Sequence, residues 1–186
     1  MNPALSNLRK SGMNICVFCS MYDVDAKYTA PAVELARAIG ERGHTLVWGG
    51  SDNGLMNTIA SAVQERGGKL IGVTMERIKE KARKNANEMI ITKDLAERKR
   101  LMRERSDAFV LLAGGIGSLD EITEILELKK HGLHDKPVVI LNTDNFYEGL
   151  KLQLERMKNE GFIERPLKEL AYFVDTPREV IEYLER

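Results

Sequence analysis

The run Ala108-Phe109-Val110-Leu111-Leu112 carries no polar side chain, and after Ala113 it ends in Gly114-Gly115-Ile116-Gly117. Successive side chains of a strand point to opposite faces, so a strand that is apolar at every position must be covered on both. Doubly covered sheets are the parallel sheets of α/β proteins, in which crossover helices lie over each face. The rest of the chain alternates to match. Apolar runs at 13–19, 45–48, 69–74, 88–92, 137–141 and 172–174 read as the other strands. Segments 26–42, 54–66, 94–105, 118–131, 144–159 and 177–184 read as helices, with glycines such as Gly43, Gly67 and Gly161 as stops. Asp94 is placed to cap the third of these helices. Residues 75–87 are charged and aperiodic, and read as a loop or an exposed helical turn. The pattern predicts a Rossmann-like, doubly wound parallel α/β sheet flanked by helices, a single domain over 13–186 behind a polar, mobile leader at 1–12.

Lys plus Arg and Asp plus Glu each number 28, so the chain lacks the basic excess that a nucleic-acid partner calls for. No apolar run approaches the ~20 residues that span a bilayer, and the leader has no signal-peptide core, so a cytoplasmic protein without a membrane partner is expected. Cys16 and Cys19 have C-x-x-C spacing, but no second ligand pair accompanies them. On a strand they point to opposite faces, which favours buried or site-lining thiols over a disulfide or a zinc site.

Ligands of doubly wound sheets sit at the carboxyl ends of the strands. The glycines gather there, as Gly49, Gly50 and Gly54 after the second strand and Gly114, Gly115 and Gly117 after the fifth. The corner Gly114-Gly115-Ile116-Gly117-Ser118 has the parts of a phosphate cradle: bare N–H groups, a helix amino terminus and a hydroxyl. It also fits a plain capping box, S-x-x-E, in which Glu121 bonds back to the Ser118 backbone. The P-loop pattern and the dinucleotide G-x-G-x-x-G after the first strand are both absent.

The preceding helix is dense in cations, Glu97-Arg98-Lys99-Arg100-Leu101-Met102-Arg103. A solvated face with Glu–Arg pairs is one reading. The other starts from Arg98 and Lys99 near its amino end, where cations oppose the helix dipole and an anion between them offsets that cost.

At these residues the chain resembles the Lonely Guy (LOG) family of cytokinin riboside 5′-monophosphate phosphoribohydrolases, long labelled possible lysine decarboxylases. The family motif P-G-G-x-G-T-x-x-E stands here as Ala113 to Glu121. Its R-K pair and following Met match Arg98, Lys99 and Met102, and His134-Asp135-Lys136-Pro137 matches a later turn. The resemblance covers about residues 13–163. It implies a homodimer that hydrolyses the base–ribose bond of an AMP-like nucleotide to free base and ribose 5-phosphate, with Arg98 and Glu121 as catalytic pair. Lys99, Gly114, Gly115, Ile116, Gly117, Ser118, Ser20 and Gly50 would hold substrate and phosphate, with Met102 in support. Glu124, a turn beyond Glu121, would support Arg98 or stand as a surface acid. The chemistry requires no metal and no cofactor, and nothing marks a pyridoxal phosphate lysine. Departures from the family pattern cluster around the nucleotide: Ser20-Met21-Tyr22, Ser51, Asn57, Thr74-Met75 and Ala96. They leave open a different base preference, or a nucleotide-binding protein that does not hydrolyse its ligand.

Overall fold

The computed structural model describes residues 12–186, so the expected leader lies almost wholly outside the described residues. Seven strands, all paired in parallel, form one sheet in the order β4-β3-β2-β1-β5-β6-β7. They are β1 (Asn14–Phe18), β2 (Thr45–Trp48), β3 (Lys69–Met75), β4 (Glu88–Thr92), β5 (Ala108–Leu111), β6 (Val138–Leu141) and β7 (Tyr172–Val174). The order reverses between β1 and β5, which is the switch point where such sheets open a crevice.

Alternation along each strand sorts the core into two layers. Val17, Leu46, Trp48 and Val110 face α1 (Ala26–Glu41), α2 (Gly54–Glu65) and α7 (Pro177–Leu184). Phe18, Val47, Phe109 and Leu111 face α3 (Leu95–Glu104), α4 (Ile116–Lys130), α5 (Glu148–Asn159) and α6 (Leu167–Leu170). Cys19 belongs to the first layer and Cys16 to the second, so the two buried thiols do lie on opposite faces. Among the described residues no helix is long and apolar enough to cross a membrane.

The predicted strands are all present, and the differences lie in the connections. Segment 75–87 contains a 3-10 turn at Glu76–Lys81, after which Ala82 pairs with Ser51 across an isolated bridge. Asp94 caps α3, accepting from the Glu97 N–H. The helix expected from 118 begins at Ile116, because extended Gly115 serves as its cap. The helix expected from 144 begins only at Glu148, since Asp144 and Asn145 take left-handed φ values of 52° and 57°. The short α6 was not foreseen; four residues are too few to show a period.

Candidate functional site

Beyond β1, β2, β3 and β5 the loops enclose a cleft of about 260 Å³. Its floor is an ion pair. Arg98, one turn into α3, donates from Nη1 to Glu121 Oε1 at 2.5 Å and from Nε to the Val73 carbonyl at 2.9 Å. Both side chains are over nine-tenths buried. α3 is the crossover that carries the chain from edge strand β4 back to β5, and on that path it lies against β3. This is why Arg98 reaches a β3 carbonyl while its head group meets α4.

Gly49 makes room for that head group. A Cβ there would stand 2.4 Å from Arg98 Nη2 and 3.0 Å from Met56 Cε, so any side chain would evict the guanidinium. Burial raises the carboxyl pKa of Glu121 above its ordinary value, and the Arg98 charge and hydrogen bond pull it partly back. An ion pair so far out of water holds only while both partners stay bonded.

The other wall is the start of α4. Its first-turn amides have no partner within the helix, and the Leu119 N–H is the first to turn back, to the Gly115 carbonyl at 3.1 Å. Gly115, Ile116, Gly117 and Ser118 line the cleft. The capping-box alternative is overturned: Ser118 lies in the third helical position and Glu121 bonds Arg98 across the cleft floor. Gly114 is packed behind the corner, where a Cβ would meet Ser118 Oγ at 2.3 Å. Ser20 lines the cleft, its N–H donating to the Ala113 carbonyl at 3.2 Å and its hydroxyl accepting from the Tyr22 N–H at 3.0 Å.

Other candidates fall outside. The Lys99 ammonium binds Glu124 at 2.6 Å and Asp120 at 3.0 Å, so Glu124 supports Lys99 instead of Arg98. The anion that the two cations call for is thus supplied by α4 itself. Met102 is core beneath α3. Gly50 has a left-handed φ of 75° and turns toward Met89 and Thr74, leaving Gly49 and Ser51 to line the cleft. The glycine pair drew attention to this loop, but only a contact could show which member faces the site. Met75, Ile78 and Lys81 also line it, brought over by backbone bonds from Asp52 N–H to the Lys81 carbonyl and from Arg83 N–H to the Gly50 carbonyl. Met75 stands among the departures from the family pattern, whereas nothing in the aperiodic sequence around Ile78 and Lys81 announced those two. Among the described residues no group of three His, Cys, Asp or Glu side chains converges as a metal site.

A family model described as possible lysine decarboxylase matches residues 56–184. A rice (Oryza sativa subsp. japonica) protein named probable cytokinin riboside 5′-monophosphate phosphoribohydrolase is 36% identical over 92% of this chain and 71% of its own. A Mycobacterium tuberculosis protein named cytokinin riboside 5′-monophosphate phosphoribohydrolase is 34% identical over 90% of both chains. The same fold occurs in a molybdenum cofactor binding protein from Rippkaea orientalis, with a TM-score of 0.71, 20% identity and coverage of 96% and 98% of the two chains.

Proposed function

Since this chain belongs to the possible lysine decarboxylase family, whose relatives here are named phosphoribohydrolases, we propose that it hydrolyses the N-glycosidic bond of a nucleoside 5′-monophosphate to free base and ribose 5-phosphate. The observation that carries the reading is the buried Arg98–Glu121 pair set beside the free amides of α4. The phosphate binds the amides of Gly115 to Ser118, where the dipole and the bare N–H groups favour a dianion. The ribose then lies over the cleft floor. Departure of the base leaves positive charge on the sugar, and the Glu121 carboxylate stabilises it and orients the attacking water. Arg98 keeps that carboxylate ionised and aimed. The homodimer expected for the family belongs to the same reading, and no step above depends on it.

Base release from AMP and related nucleotides tests the proposal. Glu121→Gln keeps an acceptor for Arg98, so the fold is retained while kcat falls by about 10²–10⁴-fold. Arg98→Ala abolishes turnover as well, and it costs about 3–5 kcal/mol of stability by leaving a buried carboxylate without its partner. Wild-type turnover in both variants would refute the assignment. AMP binding without base release by the unaltered protein would make it a carrier.

A further inference from the structure

The bend from β5 into the glycine corner is held from behind by a residue outside the cleft lining. Tyr147, just before α5, is 3% exposed, and its hydroxyl donates to the Leu112 carbonyl at 2.9 Å. Leu112 precedes Ala113, whose own carbonyl is held by the Ser20 N–H. The phenol and the Ser20 amide therefore hold two successive carbonyls of the bend. Burial raises the Tyr147 pKa, so the phenol keeps the proton that it donates.

The chain pays a conformational cost to bring Tyr147 there. Two consecutive non-glycine residues, Asp144 and Asn145, are left-handed, where a helix begun at 144 would have avoided the strain. Strain of this kind persists only where the surroundings over-determine it. Here the Lys27 ammonium binds Asp144, the Asn142 side chain accepts from the Tyr147 N–H at 2.7 Å, and the Phe146 ring stands edge-on between Tyr28 and Tyr147. The segment is braced against α1 at one end and delivers a hydroxyl to the bend at the other.

We propose that Tyr147 is the positioning residue of the anion corner: its hydroxyl fixes the bend that aims the first-turn amides of α4 into the cleft. The inference rests on the nucleotide reading of the site, in that those amides receive the phosphate. It concerns the phosphate end alone, and this separates it from a general loss of stability.

The experiment compares Tyr147→Phe with wild type by calorimetric binding of AMP and of adenosine, which lacks the phosphate. The expected result is AMP affinity weakened about tenfold with adenosine affinity unchanged, and a larger fall in kcat/KM than in kcat. Unchanged AMP affinity, or equal weakening of both ligands, overturns the proposal. A wild type that favours AMP over adenosine but releases no base sinks the hydrolase reading and leaves this one standing. A wild type with no preference for AMP overturns the anion corner and this proposal with it. Should Tyr147→Phe fail to fold, Asn142→Ala, which releases the Tyr147 N–H and leaves the phenol in place, is measured with the same two ligands: weakened AMP affinity with adenosine unchanged supports the proposal, and unchanged AMP affinity overturns it.

Discussion

Glu121 stands under opposed influences. Burial favours its neutral form and Arg98 its charged form, and burial prevails, so the carboxyl titrates above the 4.5 of an ordinary glutamate. The proposed chemistry uses the carboxylate. The acid limb of kcat/KM against pH is therefore expected above pH 4.5, and a limb in the unperturbed range would contradict it. The stability consequence has a definite sign. A group whose pKa is raised on folding contributes stability that is complete below its unfolded value and lost as pH rises through the folded one. The Tm difference between wild type and Glu121→Gln should accordingly shift toward wild type as the pH falls through that window. Both members of the pair were legible in the sequence, because the order and spacing of Arg98 and Glu121 matched a known motif. The roles of their neighbours were not. Lys99 and Glu124 are close to the pair in sequence, yet helical rotation turns them onto each other and away from the cleft floor.

At the scale of the element, the start of α4 has the most exacting geometry. Gly114 and Gly115 are adjacent and both glycine for different reasons. A methyl group on Gly114 collides with Ser118 and forces the helix start to move, whereas one on Gly115 meets nothing within 4 Å and projects into open space at the cleft, where the proposed phosphate would lie. Gly114→Ala should lower both the melting temperature and AMP affinity, and Gly115→Ala should lower affinity alone. Thermal denaturation alongside AMP titration distinguishes them, and equal melting temperatures would show that the corner tolerates a side chain behind it. Every strand was legible: β1, β2, β5 and β6 as apolar runs covered on both faces, and the partly exposed β3, β4 and β7 as short apolar runs in the strand–helix alternation. The true first residues of α4 and α5 were not, because caps there depend on extended Gly115 and left-handed Asp144, dihedrals that a side-chain pattern does not encode.

Across the whole molecule, stability and activity draw on different parts of one sheet. β1 and β5 are central and shielded by both core layers, and Phe109 on β5 is fully buried against Phe18 with ring centroids 6.2 Å apart. Phe109→Ala should cost about 3–5 kcal/mol in denaturant unfolding, and a much smaller loss would mean the layer collapses around the gap. The doubly wound layout was legible from alternation alone. The gathering of 3-10 residues such as Lys81 over the cleft was not, because it depends on a bridge between segments about thirty residues apart. The crossover through α3 also separates Arg98 and Glu121 in time of synthesis. Arg98 follows the first half of the sheet along the chain and Glu121 comes only with the second, so the buried pair closes after both halves are made. On the proposed assignment, a nascent chain that has left the ribosome as far as α3 carries Arg98 without its acid, and hydrolysis waits until α4 has docked.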